Sequence, residues 1–364
     1  MTGFAANPEQ ALPPGVAIPG DDAEDGLPEP AGEPPVRAGD SDERDRRRRW
    51  IALLALLGLL LVLIVLALWY FIFRQPIPLP NPTQIDMPGY TTSFYGASNP
   101  IGVAVSPDGS RVYVAQTEGE RGVLVFDGAG DVVATATPPA STGADHVPVW
   151  LAIDPISSEL YVSDRPMGTI YVYDRDGQFA REVVLANRIP GWQPVGLAFD
   201  ATGNLYVSDF GGTAPRVEMF DRTLTLVRTF GEGDRLSFPN GVAVDGKGNV
   251  FVADSNNGRL LAYGPDGTRL ADVGRGTGKG ELALPRGLAV DGRSRIYIGD
   301  STGQGVLVYR LTDEAVPTLE YLGFFGGEGI ADGRFSFPNG VAADSRGRIY
   351  VSDTNNDRVQ MWSY

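Results

Sequence analysis

A short motif that recurs six times constrains the fold of this chain more than any other feature. Each copy reads Pro-x-Gly and continues into an apolar strand pattern, except that the second copy has Trp150 in the place of glycine. Three further strand patterns follow in the first five copies and two in the sixth, and the first of these ends in Asp in five copies and in Gln116 in the first copy. Four strands in a period of about 45 residues are typical of a β-propeller blade. We therefore predict an all-β, six-bladed β-propeller over residues 90–364, with motifs that begin at Pro100, Pro148, Pro194, Pro239, Pro285 and Pro338.

The sixth copy ends after its third strand pattern, at Tyr364, which leaves one blade without its outer strand. Residues 90–96, YTTSFYG, read like the fourth strands of the other copies. We expect this N-terminal strand to pair with the last three strands. Such closure leaves no unfinished blade that could pair edge to edge with another molecule.

Two stretches carry a family resemblance: GRGTGKGELALPRGLAVD at 274–291 and DTNNDRVQMW at 353–362. They resemble the NHL-repeat family of six-bladed propellers, and the likeness covers residues 90–364, with the last three copies nearest to the family pattern. Blades one and two depart from it at Gln116 and Trp150. The resemblance in overall architecture is to membrane-anchored bacterial proteins that display an NHL propeller outside the cell on one transmembrane helix.

The N-terminal quarter of the chain has a different composition. Residues 1–49 carry 6 basic and 11 acidic residues with eight prolines, which predicts a disordered tail that ends in an arginine cluster. Residues 50–73 contain no charged residue, and at about 1.5 Å per residue they are long enough to cross a bilayer as a helix. The arginines before this span predict a cytoplasmic N-terminus and an extracytoplasmic propeller in the cell membrane. Residues 74–89 form a Pro-rich linker between the two.

Charge and residue types exclude several classes of function. Residues 90–364 carry 23 basic and 33 acidic residues, which opposes nucleic-acid binding. The chain has no Cys and one His, so disulfides, thiol catalysis and multi-histidine metal sites are excluded. We expect that histidine, His146, to be a solvated loop residue. Arginine outnumbers lysine by 28 to 2, which indicates a high-GC bacterial genome.

The middle residues of the six motifs should ring the mouth of the central channel. Three of them are apolar, and the other three are Asn240, Arg286 and Asn339. This ring predicts a ligand site in which Arg286 supplies charge and Trp150 and Trp192 supply aromatic walls. The alternative is that the six residues are ordinary turn variants.

Two enzyme families with six-bladed propellers provide a second hypothesis. Gluconolactonase and strictosidine-synthase-like propellers also carry Pro-Asn-Gly turns. In the lactonases the Asn of this turn binds a metal. The resemblance would give the same role to Asn240 and Asn339. No position of the mouth ring holds Asp or Glu, so a divalent cation would lack charged ligands there. The amidating lyases hold zinc through several histidines, which this chain lacks. We therefore expect no metal, no cofactor and no catalytic residue.

The sequence favours a binding or scaffold propeller over an enzyme. The chain would contact the lipid bilayer through residues 50–73 and recognise a protein, a peptide or an envelope polymer through the loops of one face. The longest of these loops, residues 326–337, is the first candidate for specificity. A cation-dependent hydrolase or lyase that uses the central channel is the alternative.

Overall fold

A computed structural model describes residues 40–73, 86–139, 146–185, 190–212, 214–275 and 278–364. The chain divides into two units, Met1–Pro80 and Asn81–Tyr364. The first contains one long helix and the second contains the β-propeller.

Helix α1 (Asp40–Phe73) begins ten residues before the predicted span. The arginine cluster therefore belongs to the helix, because arginine is a good helix former. Side chains from Glu43 to Trp69 are exposed on every side of the helix, and this segment is long and apolar enough to cross a membrane. Residues 1–39 of the predicted tail and residues 74–85 of the predicted linker lie outside the described residues.

The second unit confirms the predicted propeller: it contains six antiparallel sheets of four strands each. Blade one contains β2 (Pro100–Val105), β3 (Arg111–Gln116), β4 (Gly122–Asp127) and β5 (Val132–Ala136), and blade two contains β6 (Pro148–Ile153), β7 (Leu160–Asp164), β8 (Thr169–Tyr173) and β9 (Phe179–Glu182). Blade three contains β10 (Pro194–Phe199), β11 (Leu205–Asp209), β12 (Arg216–Phe220) and β13 (Leu226–Phe230), and blade four contains β14 (Pro239–Val244), β15 (Val250–Asp254), β16 (Arg259–Tyr263) and β17 (Arg269–Gly274). Blade five contains β18 (Pro285–Val290), β19 (Arg295–Asp300), β20 (Gly305–Leu311) and β21 (Leu319–Gly326), and blade six contains β22 (Pro338–Ala343), β23 (Ile349–Asp353), β24 (Arg358–Ser363) and the N-terminal strand β1 (Gly89–Tyr95).

The predicted closure is also confirmed. Strand β1 pairs antiparallel with β24, so the first strand of the unit completes the last blade. Phe94 of β1 is 2% exposed, and its ring lies 5.8 Å from Phe126 of blade one and 6.1 Å from Tyr350 of blade six. One aromatic side chain therefore packs across the closing interface.

The first strands of neighbouring blades contact one another around the central channel. The glycine that five of the six motifs carry permits this approach. A Cβ on Gly241 would overlap the main-chain oxygen of Arg286 in the next blade, and Gly287 faces Asn339 in the same way. The close packing of the inner strands is thus the reason for glycine in the repeat.

The loops separate into two faces. The loops that enter the first strands and those that join second to third strands form one face, which we call the top face. The turns that join first to second and third to fourth strands form the bottom face. The middle residues of the six motifs lie at the start of the first strands, and their ring is called the channel mouth.

Candidate functional site

Asn240 and Asn339 lie at the channel mouth, and both are 3% exposed. The amide of Asn240 donates to the hydroxyl of Ser255 at 2.7 Å, and this hydroxyl donates to the carbonyl oxygen of Pro285 in the next blade at 2.5 Å. Asn339 makes the equivalent bond to Thr354 at 2.6 Å. Both amide groups therefore belong to hydrogen-bond chains that join neighbouring blades, and a ligand role for them stays a prediction.

The two predicted aromatic walls are deeply buried. Trp150 is 7% exposed and Trp192 is 3% exposed, and both belong to one apolar cluster against which Ile101 packs. The indole N–H of Trp192 donates to Glu218 at 2.8 Å. Each tryptophan thus contributes mainly to the packing of blades two and three, and their part in binding also stays a prediction.

Arg286 is the predicted mouth residue whose surroundings differ most from an ordinary turn. Its side chain is half-buried, and its Nε is buried with no hydrogen-bond partner among the described residues. Burial lowers the pKa of the Arg286 guanidinium, and the positive charge of Arg165 lowers it further. The positive charge of Arg165, which follows the second strand of blade two, therefore acts on the Arg286 guanidinium.

Arg165 contacts two aromatic residues at the site, and the sequence analysis predicted none of these three residues. Its guanidinium carbon lies 5.6 Å from the centre of the Phe210 ring and 5.2 Å from that of Phe238. The two rings are 5.0 Å apart and inclined by 50°. We call Arg165, Phe210, Phe238 and Arg286 the mouth cluster. It combines two cations with half-buried aromatic surface on the top face.

The repeat contains a signal for these residues. The position after the second strand holds Ser255, Ser301 and Thr354 in blades four to six, and these hydroxyls bond the next blade. Blades two and three instead carry Arg165 and Phe210 there. An alignment of the six copies at this position would have singled out both residues.

Backbone strain occurs at the same face. Phe238 and Phe337, which precede the prolines of blades four and six, have φ values of 56° and 58°. Bulky residues rarely adopt this left-handed region, and such strain persists only where the surrounding structure holds it. Two aromatic residues at the entrance of inner strands therefore have strained backbone conformations.

The aspartates that end the second strands of blades four and six are framework residues. Asp254 accepts the backbone N–H of Ser237 at 2.6 Å and the Nε–H of Arg259 at 2.7 Å. Asp353 and Arg358 repeat the ion pair at 2.7 Å. Both carboxylates join the loop that enters their blade to the third strand.

Blade two corrects the expectation for His146. Thr169 stands in β8 where blades four and six have arginine, and His146 Nδ1 lies 2.7 Å from Asp164 Oδ2. The His146 side chain is only 13% exposed. It is therefore not a solvated loop residue but the hydrogen-bond partner of a buried carboxylate.

Side chains that commonly bind metal ions are not clustered in the part of the chain that the structure describes. Within the described ranges, no group of three or more His, Asp or Glu side chains is placed to hold a metal ion. The mouth cluster instead presents cations, which favour an anion over a metal.

The family comparison decides the class of the repeats. The NHL repeat matches residues 236–263 and 335–361, in blades four and six, where the sequence resemblance is strongest. The protein is a six-bladed β-propeller with NHL repeats in blades four and six. A comparison with curated protein sequences gives no significant match.

Solved structures share the fold of this NHL-repeat propeller. A streptogramin B lyase is 13% identical with a TM-score of 0.54, over 75% of this chain and 96% of that one. A protein of unknown function from Bacteroides thetaiotaomicron is 17% identical with a TM-score of 0.55, over 77% and 73%. Virginiamycin B lyase from Staphylococcus aureus is 14% identical with a TM-score of 0.52, over 76% and 99%. At these identities the comparisons establish the fold alone.

Proposed function

We propose that this protein is a membrane-anchored binding propeller that recognises an extracytoplasmic protein, peptide or envelope polymer through its top face. The observation that carries the proposal is the conformation of residues 326–337, the long loop that enters blade six. Ile330 of this loop is 82% exposed, although the loop around it is closely hydrogen-bonded.

The loop is held first by its own backbone. The N–H of Gly329 donates to the carbonyl oxygen of Phe335 at 2.9 Å, and the N–H of Phe335 donates to that of Gly327 at 2.8 Å. Phe335 is fully buried, with its ring 5.6 Å from that of Trp362. The loop is therefore anchored in the core of the propeller.

Side chains of blade six hold the rest of the loop. Arg358 donates to the carbonyl oxygens of Ala331 at 2.8 Å and Arg334 at 3.0 Å, and Asn356 donates to that of Gly329 at 3.0 Å. A loop fixed in this way loses little conformational entropy on binding. Together with the exposed Ile330, this favours recognition of a partner.

The helix supports the membrane part of the proposal. Glu43–Trp69 is suited to a bilayer by length and composition. Arginines 44 and 46–49 precede the apolar segment, which favours an N-terminus in the cytoplasm and a propeller outside the cell.

The lyase-like alternative has weaker support. Three of the similar solved structures are lyases, and one of these is a catalytically inactive histidine-to-alanine variant. The single histidine of this chain, His146, bonds the framework residue Asp164. The amides of Asn240 and Asn339 are engaged between blades.

Site-specific photocrosslinking in intact cells tests the binding role. We expect p-benzoylphenylalanine at position 330 of the full chain to give a discrete adduct. The matched control is position 316, where Val316 is 76% exposed on a turn of the bottom face. Equal crosslinking at both positions, or none at 330, would contradict recognition through this loop. Stoichiometric calcium, zinc or magnesium binding that is lost in Asn240→Ala would favour the enzyme instead.

A further inference from the structure

The two arginines of the mouth cluster lack the ion pairs that other arginines form with the framework carboxylates. Arg216, Arg259 and Arg358 each lie within 2.9 Å of an aspartate oxygen. In the described part of the chain, neither Arg165 nor Arg286 forms an ion pair with a carboxylate. The mouth cluster therefore presents uncompensated positive charge within an acidic domain.

The burial of the Arg286 side chain is energetically unfavourable unless a ligand binds there. Its Nε–H is removed from solvent and has no acceptor among the described residues, and the positive charge of Arg165 also disfavours its charged form. Buried donors and charges are normally paired, because each loses its hydration on burial. A bound anion would accept from Arg286 and screen the repulsion between the two arginines.

The aromatic residues restrict the form of this anion. The Phe210 and Phe238 rings lie against the Arg165 guanidinium and are themselves half-buried. Phe238 is held there in a strained backbone conformation. A ligand that reaches the arginines must therefore place an apolar group beside these rings.

We propose that the mouth cluster binds a carboxylate that is attached to an apolar or aromatic group, as at the C-terminus of a peptide with an apolar last residue. A carboxylate matches the planar fork of a guanidinium and carries a single negative charge. The propeller segment itself carries 33 acidic against 23 basic residues, so a doubly charged phosphate would be repelled more strongly. This inference rests on the proposed top-face binding role and names the ligand chemistry within it.

Calorimetric titration of the full chain in detergent micelles tests the assignment with N-acetylphenylalanine as the probe. We expect this carboxylate to bind at least 10-fold more tightly than N-acetylphenylalanine amide and than phenyl phosphate. Arg286→Gln should weaken the binding of N-acetylphenylalanine at least 10-fold. Arg165→Gln should do the same, and because Arg165 is exposed, this variant keeps the test valid if Arg286→Gln misfolds. The matched control is Arg293→Gln, an exposed arginine on a bottom-face turn, which should leave binding unchanged.

Three outcomes would overturn the carboxylate assignment: equal affinity for the acid and its amide, preference for phenyl phosphate, or equal loss in Arg293→Gln. The photocrosslinking at position 330 distinguishes this failure from a failure of the binding role. Adducts at 330 without any binding of N-acetylphenylalanine would leave the top-face role standing and remove only the carboxylate site.

Discussion

At the scale of single residues, the repeat motif serves assembly before it serves function. The glycine allows neighbouring inner strands to approach, and Asn240 joins blade four to blade five through Ser255. Residues that look like a recurring active-site pattern are therefore mostly parts of one interlocking ring. The residues with functional potential are those at which a blade departs from this pattern, such as Arg165 and Phe210.

The glycine role gives a prediction at this scale. Gly241→Ala should destabilise the propeller by about 2–3 kcal/mol, because its Cβ would overlap the main-chain oxygen of Arg286. The control is Gly246→Ala in a turn of the same blade, where a Cβ would meet nothing within 4 Å. Thermal unfolding of both variants measures the effect. Equal melting temperatures would show that the inner strands can separate without cost.

At the scale of elements, the pairing of β1 with β24 makes β1 the strand on which closure of the ring depends. Phe94→Ala should destabilise the domain by about 3–5 kcal/mol and promote aggregation, because this side chain packs between blades one and six. Tyr95 of the same strand is 59% exposed, so Tyr95→Ala should have little effect. Light scattering during thermal unfolding compares the two. A Phe94→Ala protein as stable and soluble as Tyr95→Ala would refute this role of the strand.

The elements also show which parts of the structure a single sequence can reveal. The period of the motif and the missing strand after Trp362 predict six blades and the pairing of β1, because both follow from local patterns. Arg286 was predicted, but Arg165 was missed because it lies in another blade and approaches Phe210 and Phe238 only when the ring is assembled. The burial of Trp192 likewise depends on its bond to Glu218, which no spacing predicts.

At the scale of the whole molecule, the distribution of charge separates the parts. The tail at residues 1–49 has more acidic than basic residues, and so does the propeller segment, while the apolar segment between them is uncharged. A cluster of arginines directly precedes the apolar segment, whereas Arg74 is the single basic residue directly after it. Because arginines close to a span oppose translocation, their position outweighs the acidic tail and predicts a cytoplasmic N-terminus.

The absence of cysteine makes this orientation directly measurable. A single cysteine in the full chain is the only thiol that a membrane-impermeant maleimide can label. We expect Lys279→Cys, at an exposed position of the propeller, to be labelled in intact cells. Gly3→Cys, in the N-terminal tail, should be labelled only after the membrane is permeabilised. The reverse pattern would place the propeller in the cytoplasm, where the mouth cluster would meet cytoplasmic ligands and the proposed extracytoplasmic role would fail.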